Sequence, residues 1–265
     1  MTKPFPANVP IHIIKKTKDF LFVVKPHGVK STENCPNSIT REPSLAHYLE
    51  RQLKAEEFKY EVLEPCYGIS KNSHGIMAYI HNYNTLERFK SGEISFMKHY
   101  AALVHSSPVE KEGIIRLPIR NSKIDFKGDE AETYYRVENR LTDKYSLLHV
   151  ACKTNISNQI ELHLDHLKCP LIGDNIAAYK AENGMLREEL SIKDFPKFLS
   201  LCTVDVSDIQ GSIDFTLSYS TSDVFSYLLG NLRLRLDYEA KKKRRSETIK
   251  KHKITIENFF SKTMQ

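Results

Sequence analysis

Serine, lysine and histidine stand close together at Ser70, Lys71 and His74 in the stretch PCYGISKNSHGIMAYIHN, residues 65–82. Ser/Lys and Ser/His pairs can act as nucleophile and base, but only through geometry, which adjacency in one loop does not supply. The other reading is a solvated polar loop entering an apolar strand. Missing residues are as informative: between Asp19 and Asp125 the chain has no aspartate. Glu61 and Glu64 are nearby acids, yet six residues of extended chain would put Glu64 about 20 Å from Ser70. The eleven histidines form no HExxH pattern, and Cys35, Cys66, Cys152, Cys169 and Cys202 form no CxxC pair. No metal site and no disulfide framework is expected, only reduced thiols packed in a reducing compartment.

The elements that must hold this loop can be read from periodicity. IHIIKKTKDFLFVVKPHGV (11–29) gives two β-rich runs split by a polar KKTKD, a hairpin-like pair. From Ser44, a candidate N-cap, Leu45, Tyr48, Leu49 and Leu53 share one helical stripe. GIMAYIHN is a strand and NTLERFKSGE a short helix ending at Gly92, while MKHYAALVHS, AETYYRVENRL and YSLLHVAC are strands again. NQIELHLDHL spaces Ile160, His163, Leu164 and Leu167 as a helix, and CPLIGD turns back through Pro170 and Gly173. FPKFLSLCTVDV and SIDFTLSYS close the sheet, and SDVFSYLLGNLRLRL is a last helix with Ser222 or Asp223 as cap. Strands outnumber helices and seldom alternate with them. The predicted class is therefore α+β with a mainly antiparallel sheet.

With 265 residues and 40% hydrophobic content the chain is globular rather than disordered. No apolar run is long enough to span a bilayer, and MTKPFPANVP lacks the apolar core of a secretory signal. The net charge of +6 is unevenly placed: residues 241–253 hold eight of the 39 basic residues and one of the 33 acidic ones, leaving 31 against 32 elsewhere. Three regions follow: an arm at 1–10, one fold over 11–231, and a basic tail over 232–265.

The order of these pieces resembles the RluA-type pseudouridine synthases, which implies a mainly antiparallel mixed sheet flanked by helices with a central cleft. DFLFVVKPHGV is similar to that family's opening strand with its Lys-Pro-x-Gly turn, and MKHYAALVHS to its Lys-x-Tyr-x-Ala-Leu-Val strand. CKTNISNQIELHLDHLKCPLIGDNIAAY is similar to the stretch running from Thr-Gly-Arg-x-His-Gln-Ile-Arg-x-His to Pro-x-x-Gly-Asp-x-x-Tyr. The likeness covers roughly residues 11–220. It makes residues 65–75 the family's catalytic loop, His-Arg-Leu-Asp-x-x-Thr-Ser-Gly, with Gly75 as anchor, Ile69 at the leucine, Ser73 and His74 at the Thr-Ser pair, and Ser70 at the catalytic aspartate. Glu161 corresponds to the arginine that pairs with that carboxylate, and Asn155 and Ile156 to the Gly-Arg before it.

A serine hydroxyl has neither the charge nor the basicity of the carboxylate. Loss of the aspartate and the arginine together is self-consistent, because a buried guanidinium without its partner would be an unpaired charge. Tyr100 matches the tyrosine that packs against the target base, and also suits the core. Gln159, His163, Gly173 and Asp174 match and are expected to hold the fold. The resemblance implies no cofactor. It points to a pseudoenzyme that binds RNA or serves as a scaffold, with Lys25, Lys71, Lys98, Tyr100 and Lys153 as candidate RNA contacts. The alternative is an active, divergent RNA pseudouridine synthase.

In the tail, Lys241, Lys242, Lys243, Arg244 and Arg245 read as a nuclear-import signal or a nucleic-acid contact, against a solvated arm. Nuclear placement is the expectation, with the cytoplasm as alternative. In KITIENFF (253–260), one helical turn would put Ile256, Phe259 and Phe260 on one face. That pattern resembles the PCNA-interacting peptide, with Lys253 at its glutamine position; the alternative is that Phe259 and Phe260 fold back on the protein's own surface.

Overall fold

The computed structural model describes residues 10–31, 43–175, 179–189, 191–192, 195–234, 237–238, 240–242, 244 and 247. β1 (Ile13–Lys16) and β2 (Phe20–Lys25) form the expected hairpin, its turn held by Thr17, whose hydroxyl accepts from the Phe20 amide at 2.8 Å. α1 (Leu45–Ala55) begins at Ser44, whose hydroxyl accepts from the His47 amide, and buries Leu45, Leu49 and Leu53. This is the predicted stripe, and each fully buried leucine adds about 1.5–3 kcal/mol.

β3 (Glu64–Pro65) and β4 (His74–Ile80) flank the polar loop. α2 (Tyr83–Lys90) is capped by Asn82, which accepts from the Thr85 amide at 2.8 Å. β5 (Ile94–His105) is the spine of the sheet: Ile94, Phe96, Lys98, Tyr100 and Ala102 point into the interior while Ser95, Met97 and His99 face the other way, as the two-residue period of a strand requires. Short strands β6 (Glu112–Arg116), β7 (Ile119–Arg120) and β8 (Lys123–Ile124) precede β9 (Glu132–Arg140) and β10 (Tyr145–Cys152). α3 (Gln159–His166) and α4 (Lys180–Glu189) follow, then β11 (Leu199–Asp208), β12 (Asp214–Ser218) and helix α5 over residues 223–234. The periodicity reading missed α4 and β6 to β8, because these segments carry few apolar residues.

Ten strands form one sheet in the order β1-β2-β4-β11-β5-β10-β9-β6, with β12 added beside β11 and β3 beside β4. The fold is α+β with a mostly antiparallel sheet, as expected. Its one parallel strand pair among the described residues joins β4 to β11, with His74 opposite Ser200 and Gly75 opposite Leu201. This contact requires glycine: Gly75 has φ +140°, and a Cβ there would lie 2.4 Å from the Leu201 carbonyl oxygen.

The main core lies under β2, β4 and β5. A second cluster gathers Leu103, Ile172, Phe198, Phe225, Leu228 and Leu232 beneath α5. Ser222 caps α5, accepting from the Phe225 amide at 3.2 Å. The boundary expected after residue 231 thus falls inside a helix whose Leu232 is fully buried, because the apolar stripe of α5 continues past that point.

Candidate functional site

The loop between β3 and β4 is pinned on three sides. Ser31 clamps it from one side, donating to the Ile69 carbonyl at 2.6 Å and accepting from the Ile69 amide at 3.0 Å. The Gly28 amide reaches the Lys71 carbonyl at 2.8 Å, and the Lys197 amide reaches that of Asn72 at 3.0 Å. Lys25 completes the clamp. Its ammonium, fully buried, donates to the carbonyls of Pro26 (2.9 Å), Val29 (2.7 Å) and Lys71 (3.0 Å). The expectation that Lys25 contacts RNA is therefore corrected: all three of its protons are committed to backbone, and it does not line the cleft.

The loop forms one wall of a cleft of about 580 Å³ between β5, the end of β10 and the start of α3. Ser70, Lys71, Tyr100 and Glu161 all line it, together with Asn155 and Ile156. Residues spread over ninety positions of sequence thus meet in one cleft. The Ser70 hydroxyl has no hydrogen-bond partner among the described residues. His74, in contrast, turns away to the Ser200 hydroxyl at 3.2 Å and does not line the cleft. Ser70, Lys71 and His74 do not assemble into a catalytic group.

Tyr100 is buried, and burial, reinforced by Cys152, Tyr67 and Glu161, pushes the phenol well above its usual range. Lys98 lies beneath the cleft wall, donates to the Lys153 carbonyl at 3.0 Å and sits 5.5 Å from the Tyr67 ring centre. Burial lowers its pKa. Lys153 itself is exposed beside the cleft.

Glu161 is nearly buried, and its Oε1 accepts from the Lys197 ammonium at 3.1 Å. The same ammonium reaches Asp174 at 3.0 Å. Burial by itself would depress Lys197, but the two carboxylates outweigh it and hold its pKa above the usual value. Reading the sequence did not anticipate Lys197, because nothing in FPKFLSLCTV marks a cation that folds back onto α3. Glu64 lines the same cleft as Ser70, but it pairs opposite Ile80, at the end of β4 remote from His74, so the chain between them runs back along β4.

The remaining matches are structural. Gln159 donates to the Glu132 carbonyl and the Thr133 hydroxyl and accepts from the Thr154 hydroxyl, so its amide ties α3 to β9. His163 is fully buried and its Nε2 donates to the Leu117 carbonyl at 2.9 Å. Gly173 has φ +84° and passes so close to the Pro196 carbonyl that a Cβ would overlap it at 1.9 Å. Among the described residues no group of histidines, cysteines and acids is placed to hold a metal ion, and no helix is long and apolar enough to cross a membrane. In the tail, Lys241, Lys242 and Arg244 are exposed helical positions. Lys243, Arg245, Lys253, Ile256, Phe259 and Phe260 lie outside the described residues.

A family model described as RNA pseudouridylate synthase matches residues 19–166, more than half of the chain, and the chain belongs to that family. Among curated relatives it is 24% identical over 187 residues to ribosomal large subunit pseudouridine synthase D of Blochmanniella floridana, covering 64% of this chain and 54% of that one. It is 26% identical to the corresponding protein of Borreliella burgdorferi, covering 69% and 59%. The dual-specificity RNA pseudouridine synthase RluA of Pasteurella multocida is 24% identical over 185 residues, covering 65% and 80%. The chain thus spans little more than half the length of the first two, and the resemblance to the RluA type is borne out. Human RNA pseudouridylate synthase domain containing 4 shares the fold, with a TM-score of 0.63 at 18% identity over 84% of this chain and 93% of that one. Human RNA pseudouridylate synthase domain containing 1 does so too, with a TM-score of 0.58 at 14% identity, covering 87% and 97%.

Proposed function

We propose that this chain is an RNA-binding member of the family that has lost uridine isomerisation. One observation carries the reading. The cleft wall presents the Ser70 hydroxyl where the resemblance puts the catalytic aspartate, and among the described residues no aspartate lines the cleft. A neutral hydroxyl can neither attack the sugar as a carboxylate does nor take a proton at neutral pH. Glu161, at the position of the partner arginine, is engaged by Lys197. Lys30, Lys71 and Lys98 line the cleft and Lys153 is exposed next to it, which supports an RNA partner whose phosphates these cations would meet.

In this reading the tail is the address: Lys241 to Arg245 direct nuclear import, and Lys253, Ile256, Phe259 and Phe260 dock as a short helical plug in the groove of PCNA. The second reading, an active divergent synthase, draws on Glu64, the other carboxylate of the cleft. One experiment separates the two. The purified full chain is mixed with RNA carrying tritium at uridine C5, and binding and tritium release are followed together. Binding without release is expected. Release that disappears in Glu64→Gln would establish the second reading instead.

A further inference from the structure

Three of the polar groups that line the cleft bear on what it could hold. Oε1 of Glu161 is bonded to Lys197, but Oε2 has no partner among the described residues and is not among the buried atoms sealed from solvent. The Ser70 hydroxyl is in the same condition. Among the described residues the Lys98 ammonium makes one hydrogen bond, to the Lys153 carbonyl, which leaves two of its protons for other acceptors. Tyr67 and Tyr100 border the same wall, each almost wholly buried. The cleft therefore offers the Glu161 carboxylate as an acceptor, with the exposed Glu64 as a second, beside flanking donors in a volume suited to a small planar ligand.

Single-stranded RNA is read by stacking an unpaired base on aromatic side chains and hydrogen-bonding its Watson–Crick edge. We infer that this cleft takes guanine in preference to uracil, with Glu161 as the residue that makes the choice. The inference rests on the RNA-binding reading above. Guanine presents two adjacent donors, N1–H and the exocyclic N2 amino group, which a carboxylate accepts together, while its O6 faces the donors at Ser70 or Lys98. A carboxylate has about four lone-pair sites, so the bond to Lys197 does not exhaust Glu161. Uracil presents one N–H between two carbonyl oxygens, and both oxygens would face the carboxylate unfavourably. Adenine and cytosine each offer one amino group beside a bare ring nitrogen, which again meets the acceptor with a lone pair. The ion pair with Lys197 also matters, since it tempers the repulsion that an isolated carboxylate would exert on the RNA backbone.

The test is fluorescence anisotropy of the full chain with RNA hairpins that share one stem and differ at a single loop base: G, inosine, A, C or U. Guanine is expected to bind about tenfold tighter than uracil, with inosine, which lacks the N2 amino group, in between. Glu161→Gln should abolish the preference. Asp174→Asn perturbs the Lys197 pair from its other side, leaves Oε2 in place, and should preserve it. Equal binding of all loops, or preference for U, overturns the inference while leaving the RNA-binding reading intact. Failure to bind any hairpin overturns both. The comparison of bases in the unmodified chain decides the matter even if Glu161→Gln does not fold.

Discussion

The ammonium of Lys25 lies 3.0 Å from the carbonyl oxygen of Lys71, forty-six residues further along the chain. It joins the end of β2 to the loop that carries Ser70, and it does so from a fully buried position. Lys25→Met fills similar space but strips the Pro26 and Val29 carbonyls of their donor, and each orphaned buried acceptor costs about 1–3 kcal/mol. Urea denaturation should show a loss of about 2–4 kcal/mol with an unchanged slope. A midpoint equal to the parent's would contradict the clamp.

Gly75→Ala should be among the most damaging single-methyl additions. The new Cβ would lie 2.4 Å from the Leu201 carbonyl oxygen and 2.6 Å from its nitrogen, both backbone atoms that cannot swing aside. Either β4 or β11 must shift, and the loop before β4 moves with it. A loss of about 3 kcal/mol or more is expected, read as a fall in thermal midpoint of roughly 6 °C or more. Gly28→Ala serves as the contrast: it also has positive φ but meets nothing within 4 Å, so only backbone strain of about 1 kcal/mol applies.

Acid should weaken the fold through histidine. Burial, followed by the nearby cations Lys25 and His27 and opposed by Asp223, lowers the pKa of His74 from 6.5 to about 4. The unfolded chain therefore binds the proton first. Stability is fully present above pH 6.5 and falls as the pH drops towards 4, by as much as about 3 kcal/mol for this one group. His105, His149 and His163 shift in the same direction, each chiefly by burial. Denaturation midpoints at pH 7, 5.5 and 4 should decline, and His74→Gln should flatten the decline. A flat profile in the parent chain would rule this out.

Lys197 neutralises two carboxylates at once, Glu161 at 3.1 Å and Asp174 at 3.0 Å. Lys197→Met leaves both without a cation in a mostly buried site, for which a loss of about 3–5 kcal/mol is expected. Adding Glu161→Gln to Lys197→Met should recover about 1 kcal/mol, since one of the stranded charges is removed. If the double variant is less stable than the single one, the ion pair is not what holds α3 to the entry of β11.

The periodicity of the chain carried most of the fold. Leu45, Leu49 and Leu53 announced α1, and Ile160, His163 and Leu164 announced α3, because amphipathic stripes are local properties. The order of motifs also brought Ser70, Tyr100 and Glu161 to one cleft. What stayed hidden is tertiary. A lysine in a Lys-Pro turn looks solvent-facing until three carbonyls converge on it, as they do on Lys25. Glu64 shares a cleft with Ser70 although it pairs at the far end of β4, a juxtaposition that only the assembled sheet shows. Lys197 carries no local signal, since its partners are 36 and 23 residues away in sequence. Charge partners chosen across elements are the part of a site that a single sequence least discloses.

The central claim is that the cleft no longer isomerises uridine, and it is tested most directly by mapping pseudouridine in total RNA from cells with and without the gene. Unmodified chain and Ser70→Asp are each added back. The account predicts the same set of modified positions with and without the gene, and none gained with the unmodified chain. A position that loses its pseudouridine on deletion and regains it with the unmodified chain would contradict the account, and would make Glu64 the first residue to replace.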